Sequence, residues 1–403
     1  MKLKLIFSIL IFVILISCVP EYNSIYFQKK LNVKLVDSSA SKETVLLFYN
    51  LKKLSEHKII FGHHDATAYG VGWFGKDSSD VKSVVNSYPG LYGWDFSHIT
   101  SNKNNPVKNY MKKLVLDAYK RGGVNTFCWH YNNPVTDGSF YDTTIAVKKI
   151  LPGGGFYLKY LRALDSIADF ANNLKDSTGE PIPIIFRPFH EFDGSWFWWG
   201  KNFCTKEEFI ELWRTTVNYL RNKKGVKNFL YAYSPDRNFY SEEEYLERYP
   251  GDEFVDILGM DDYYDFVPGG DGIEWITKKL SIITKLAKKK NKIAAFTETG
   301  LEGIVNHKWW TDRLLKSFDN DSIKIAYLMV WRNANETHHY APYKGHPSAE
   351  NFVEFVFSPK ILLEKDLPNL YKTSINDNII EKINFKKNLD IIKTMGFYPV
   401  RCN

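Results

Sequence analysis

Eight short apolar runs, each followed by a helical stretch or by room for one, constrain this 403-residue chain more than any other feature. They fall at residues 57–62, 90–94, 123–129, 182–186, 229–233, 254–260, 292–296 and 323–330. Helical spacing of apolar positions marks 43–54, 107–120, 156–174, 272–290 and 308–318. A Thr205-x-x-Glu208 capping box opens another helix, with Phe209, Leu212, Trp213, Val217 and Leu220 along one stripe. Continuous apolar strands alternating with amphipathic helices mean a parallel sheet, and eight such units close it into a (β/α)8 TIM barrel. An open doubly wound sheet would carry a Gly-rich phosphate turn after an early strand. No such turn is present, and no dinucleotide or other cofactor is expected.

The chemistry-bearing residues cluster where such a barrel works. His63, Asp95, His98, His130, Glu191, Asp236, Asp261, Tyr263, Glu298 and Arg332 all stand at or just past the carboxyl ends of strands. The densest stretch runs from Arg187 to Gly200, where Glu191 sits between Pro188 and Gly194 and three tryptophans follow. Aromatics make up 16% of the chain, enough to fill a core and still leave flat rings for stacking on sugar faces. Cleaving a glycosidic bond takes one carboxylic acid to protonate the leaving oxygen and a second carboxylate to meet the cation-like transition state. Glu191 and Glu298, at the ends of the fourth and seventh strands, fit that pair. Glu191, with Phe189, Phe192 and Trp196 around it, is expected to be the protonated one through desolvation. Glu298 is expected to stay ionised, near Arg187 or Arg332 and a tyrosine hydroxyl.

Other features bound the remaining possibilities. The net charge of +7, two of it in the leader, is too mild for a nucleic-acid stripe, so no nucleic acid is expected. Residues 1–17 read as a signal peptide: Lys2 and Lys4 and an apolar run precede Leu15-Ile16-Ser17-Cys18, which resembles the lipobox of bacterial lipoproteins and implies lipid on Cys18, an ordinary cleaved signal being the alternative. Residues 18–41 read as a polar tether, 42–358 as the catalytic barrel, and 359–403 as an extension packed on the barrel. The expected protein is a monomer on a bacterial cell envelope, at the outer membrane or cell surface, with the periplasmic face as the alternative. Cys128, Cys204 and Cys402 show no CxxC spacing, so neither a disulfide framework nor a zinc site is expected. His63-His64-Asp65 raises the rival of a metal-dependent hydrolase, but adjacent strand residues face opposite sides, and no metal is expected. A non-catalytic polysaccharide-binding protein is the second rival; the presence of both glutamates argues against it.

Arg187-Pro188-Phe189-His190-Glu191, then Gly194 and Trp196-Phe197-Trp198-Trp199-Gly200, resembles the acid/base motif of glycoside hydrolase family 26, the β-mannanase family. Phe61-Gly62-His63-His64-Asp65 with Tyr69-Gly70, Tyr92-Gly93-Trp94-Asp95, Trp129-His130 with Asn133-Pro134-Val135-Thr136, Gly259-Met260-Asp261-Asp262-Tyr263, Thr297-Glu298-Thr299-Gly300 and Trp331-Arg332 resemble its other strand ends. The resemblance spans roughly residues 45–358. It implies Glu191 as acid/base and Glu298 as nucleophile. It also implies His130 and His190 at the cleaved sugar, Tyr263 on the nucleophile with Tyr264 in reserve, and Trp331 as the sugar platform. Trp196 would line the neighbouring subsite, with Arg187, Asp261 and Arg332 behind. Asp193 stands where many relatives carry Asn or Thr, an extra anion expected to raise Glu191 further. The implied activity is endo-1,4-β-mannosidase action on mannan, galactomannan or glucomannan, with β-1,3-xylan and mixed-linkage β-glucan as the alternative substrates.

Overall fold

The structure is a computed structural model that describes residues 22–75, 78–100 and 105–395, the side chains of 105 and 388–395 excepted. Eight parallel strands form the barrel: β1 (Ile59–His64), β2 (Leu91–Asp95), β3 (Val124–Cys128), β4 (Ile184–Arg187), β5 (Phe229–Tyr233), β6 (Ile257–Asp262), β7 (Ile293–Thr299) and β8 (Tyr327–Val330). Each pairs with the next, and β8 returns to β1 through Ile60 opposite Tyr327 and His63 opposite Val330, so the sheet closes. A two-residue strand, β9 (Ile361–Leu362), pairs with Ile59 and Ile60 of β1 below the point where β2 begins.

Strand alternation divides the apolar residues into two cores. Ile60, Leu91, Ile185, Leu230, Ile257, Ile293, Tyr327 and Met329 form the inward core that fills the barrel. Phe61, Phe127, Phe186 and Phe296 belong to the outer core, under the helices. There α1 (Asn105–Lys120), α2 (Tyr157–Asn173), α3 (Lys206–Asn218) and α4 (Ile273–Lys290) pack, with α5 (Ala349–Phe357) closing the ring. The capping box is formed: Glu208 N–H donates to Thr205 Oγ1 at 3.2 Å, and Thr205 N–H to Glu208 Oε2 at 3.0 Å. Trp94 and Trp129 are fully buried packing rings.

The expected tether is corrected from Ser24 onward. Residues 24–30 form a short helix, and Val33, Leu35, Val36 and Ala40 are buried against the barrel base. Gln28 ties the turn together, its amide donating to Asp37 O at 3.0 Å and its oxygen accepting from Leu35 N–H at 2.9 Å. Val36 N–H donates to buried Asp256 at 2.8 Å, which locks the segment to the loop before β6. The apolar residues here are too few and too irregular to register as an amphipathic element, yet they bury because the barrel base offers an apolar floor. Cys18 and the leader lie outside the described residues.

The C-terminal extension covers the same base. Leu370, Tyr371 and Ile375 join the inward core, and Tyr371 OH donates to Gly123 O at 2.7 Å. Asn50, buried in the helix Lys42–Ser55, clasps it: its amide donates to Leu370 O (2.9 Å) and Thr373 O (2.8 Å), and its oxygen accepts from Ile375 N–H (2.7 Å). Asn50→Ala strands three backbone groups and is expected to cost about 3 kcal/mol. Urea unfolding checks this, and a loss indistinguishable from zero would mean that the extension contributes nothing to the fold.

Candidate active site

The turn after β4 is built to present one carboxyl group. Phe189 and Glu191 both adopt left-handed backbone conformations (φ 49° and 54°), which non-glycine residues enter only when their surroundings over-determine them. The surroundings do. Phe189 is buried among Trp198, Trp199, Phe209 and Trp213. Trp199 Nε1 donates to His190 O at 2.9 Å, and Glu191 N–H donates to Ser234 O at 2.9 Å. Trp198 and Trp199 are therefore walls of the turn, wholly buried. Trp196 is exposed and folds back so that its Nε1 donates to Glu191 Oε2 at 2.7 Å. Its ring lies over Gly194, where any Cβ would stand 2.3 Å from it.

Of the three rings expected around Glu191, Trp196 touches its carboxyl and the two phenylalanines turn away. Phe189 points into the core, and Phe192 packs on Phe209 and Tyr233. Its carboxyl is nevertheless pushed well above the ordinary glutamate range, first by desolvation and then by Asp236, Asp261 and Glu298. Asp193 has a different task from the one expected. Its two oxygens accept the backbone N–H groups of Asp236 (2.6 Å) and Asn238 (3.0 Å), so it staples the loop after β5 to this turn.

Glu298 owes its orientation to an irregularity. Along β7, Phe296 is opposite Met260 but Glu298 is opposite Asp261, and the register with β8 shifts at the same place. In a regular strand Thr297 and Glu298 would face opposite sides; this bulge turns both inward. Thr297 Oγ1 donates to Asp261 Oδ1 at 2.7 Å, and Glu298 reaches Arg187. Arg187 is fully buried and bridges Asp261 and Glu298 with its two terminal nitrogens, and it also donates to Ser234 Oγ at 3.2 Å. Burial opposes its charge, but Asp261 and Glu298 more than offset that and raise its pKa. Tyr263 OH donates to the other oxygen of Glu298 at 2.8 Å, and burial followed by Glu298 raises that phenol well above its ordinary value, so it remains a donor. Tyr264 stands apart, half exposed, with the Arg237 guanidinium 4.1 Å over its ring. Of the two tyrosines, Tyr263 meets Glu298.

Around the pair lies a cleft of about 430 Å³, lined among others by His130, His190, Glu191, Tyr263, Glu298 and Trp331. His130 donates its backbone N–H to Asp95 Oδ1 (3.1 Å) and holds Asp95 Oδ2 with Nδ1 (2.8 Å), leaving Nε2 for the cleft. His190 stands edge-on to it at 4.7 Å; burial, then Arg187 and His130, drive its pKa well below the usual histidine value, so it is neutral. The Trp331 ring rests on His64 at 4.2 Å and forms a flat floor. Arg332 is not a partner of Glu298: its guanidinium donates to Tyr69 OH at 3.2 Å, and Tyr69 OH in turn reaches Asp65.

Sequence reasoning missed several lining residues. Tyr141 is exposed and stacks on buried Phe197 at 5.6 Å, from a long loop, 131–155, that has no apolar period to mark it. Tyr340 sits edge-on to Tyr263 at 5.7 Å, and a Cβ on Gly300 would meet it at 2.4 Å. The rim pair His338–Glu302 (2.6 Å) completes that side.

One group of three possible metal donors exists among the described residues, Asp95, Cys128 and His130, with donor atoms within 4.8 Å of one another. Asp95 and His130 already satisfy each other. Burial, followed by Asp95, pushes the Cys128 thiol well above its ordinary value, away from the thiolate that binds metals. His64 faces inward to Cys128 and Trp331, whereas His63 faces out towards Asp80, as strand alternation requires.

A closed (β/α)8 barrel with a glutamate pair and a tryptophan floor at its carboxyl mouth is the build of a glycoside hydrolase. Residues 36–352 match the family described as Glycosyl hydrolase family 26, and the chain belongs to that family. A β-mannanase structure from Bacteroides ovatus is 44% identical, with a TM-score of 0.79, over 83% of this chain and 99% of that one. A structure of GH26C from a Muricauda species is 43% identical, with a TM-score of 0.81, over 85% of this chain and 96% of that one. A mannan endo-1,4-β-mannosidase of Bifidobacterium adolescentis is 34% identical over 357 residues, 82% of this chain but 36% of that protein.

Proposed function

We propose that this protein hydrolyses β-1,4-mannosidic linkages in mannan, galactomannan or glucomannan with retention of anomeric configuration. The observation that carries the reading is the asymmetry of the glutamate pair. Glu298 accepts from a guanidinium and a phenol, which suits an ionised nucleophile. Glu191 is desolvated and crowded by other carboxylates, which raises its pKa and suits the acid. In the first step Glu298 attacks the anomeric carbon, the glycosidic C–O bond breaks, and the Glu191 proton goes to the leaving oxygen. In the second, Glu191 takes a proton from water, whose oxygen displaces Glu298 from the sugar. His130 and His190 contact the reacting sugar, which stacks on Trp331, and Trp196 lines the adjoining subsite. The substrate class follows the relatives' names.

Incubation with galactomannan, glucomannan, lichenan and β-1,3-xylan tests this reading. New reducing ends are expected from the two mannans, first released as the β-anomer by NMR; cleavage confined to lichenan or xylan, or first release of the α-anomer, would overturn it. Activity is expected to be unchanged by chelator. The same reading places the enzyme on the bacterial envelope through lipid on Cys18. Metabolic acyl labelling is expected in the wild type and lost in Cys18→Ala; label retained in that variant would refute the anchor.

A further inference from the structure

Behind Tyr340 lies a histidine pair that the catalytic reading does not use. His339 and His346 are both buried, and their Nε2 atoms stand 3.1 Å apart. The backbone fixes their tautomers. Ser348 N–H donates to His346 Nδ1 at 3.1 Å, so that nitrogen is bare and His346 carries its proton on Nε2. Ser348 Oγ, which accepts from Trp310 Nε1 at 3.3 Å, stands 2.9 Å from the same bare Nδ1 and can donate to it. His346 Nε2–H therefore donates to His339 Nε2, and His339 keeps its proton on Nδ1, a buried nitrogen with no hydrogen-bond partner among the described residues.

This arrangement disfavours an additional proton. A proton on His339 Nε2 would set N–H against N–H, and one on His346 Nδ1 would face the Ser348 N–H. A metal on the two Nε2 atoms is disfavoured for the same reason, since it would move the His346 proton to Nδ1. The pair also fixes the segment that reaches the active site. His339 O accepts from Gly303 N–H at 2.9 Å, joining this loop to the one after β7. Tyr340, next in the chain, lies against Tyr263, the phenol that holds Glu298. Asn333 Oδ1 accepts the Tyr340 and Ala341 N–H groups at 2.8 and 3.0 Å.

We propose that His339 and His346 are positioning residues, a neutral-imidazole latch that holds the Tyr340 loop against the nucleophile side of the cleft and opens on acidification. The groups facing the pair are Asp80 and His338 towards His339, His307 and the Gly303 backbone towards His346, and the Tyr343 ring towards both. Burial comes first, followed by His339 and His307, in drawing His346 down to about 4, and burial lowers His339 as well. For a histidine lowered on folding, the stability it contributes is complete above the unfolded value and is lost as pH falls through the folded one. The window is therefore from about 6.5 down to about 4.

The test compares wild type with His339→Gln, whose amide oxygen accepts from His346 Nε2–H but takes up no proton, and with His339→Phe, which removes the acceptor. Hydrogen exchange of residues 335–346, corrected for intrinsic rates, is expected to rise about tenfold per pH unit below the latch's opening point in wild type. It should rise less in His339→Gln, where His346 alone is left to titrate, and be high at every pH in His339→Phe. KM for a manno-oligosaccharide should follow the same pattern, with kcat moving less. Exchange profiles of wild type and His339→Gln that superimpose would overturn the latch, as would coincident KM profiles. The inference rests on the glycosidase reading only in its KM arm: absence of hydrolysis at any pH would condemn the substrate assignment and leave exchange to decide the latch.

Discussion

Glu298→Ala is expected to lower turnover of β-mannan by about four to six orders of magnitude while leaving the fold intact. In the proposed mechanism this carboxylate is the electron-pair donor of the first displacement, and among the described residues it is the acid held by both Arg187 and Tyr263. Its removal also tests the structural role of the frame. Arg187 keeps Asp261 and Ser234, so its buried charge remains paired, and the loss should fall on chemistry more than on stability. Reducing-end release measures the first, thermal unfolding the second. A small anion such as azide, entering the space of the lost side chain, should restore part of the turnover on an activated aryl glycoside and give a product of inverted configuration. Undiminished hydrolysis of mannan by Glu298→Ala would remove Glu298 from the mechanism.

How far the sequence carries this arrangement depends on whether a feature is local. Each strand is a continuous apolar run because both of its faces are buried, and the polar residue that ends it emerges at the mouth by simple continuation. That is why Glu191, Glu298, His130, Tyr263 and Trp331 could be gathered on one face from their order alone. The bulge at Thr297–Glu298 could not be read, because nothing in Phe296-Thr297-Glu298-Thr299 says where the register with Asp261 slips. Nor could the assignment of Arg187 rather than Arg332 to Glu298, since both follow strands and only the packing decides their reach. Asp193 looked like an anion near the acid because it is close in sequence; the left-handed turn at Glu191 sends it to the backbone of Asp236 and Asn238 instead. The segment from Ser24 to Ala40 looked like linker because its apolar residues have no period, and it is ordered by a floor that other parts of the chain build.

Glu191→Gln should separate the chemistry of the acid from its cost to the fold. On polysaccharide, whose leaving group needs a proton, turnover is expected to fall by about two to four orders of magnitude. On an aryl mannoside with a strongly acidic phenol, the first displacement needs no proton and should survive, so a burst of phenol is expected before slow release of the sugar. The pH profile supplies the sign. Wild-type activity should decline as pH rises through the elevated Glu191 value, because the proton it must donate is lost, and this alkaline limb should vanish for the aryl substrate in the variant. Stability should move in the same direction with pH. A carboxyl whose pKa is raised on folding binds its proton more tightly in the native state, so its contribution is complete at low pH and is lost as pH rises through the native value. Glutamine cannot ionise among Asp236, Asp261 and Glu298, and it keeps an oxygen for Trp196 Nε1. Glu191→Gln should therefore melt above wild type at pH near 8, with the gap closing towards pH 4, the mark of an acid held ready at the expense of the fold around it. A melting difference that stays constant with pH, or one that widens in acid, would mean that burial and the neighbouring carboxylates do not raise Glu191 and that its acid role has another origin.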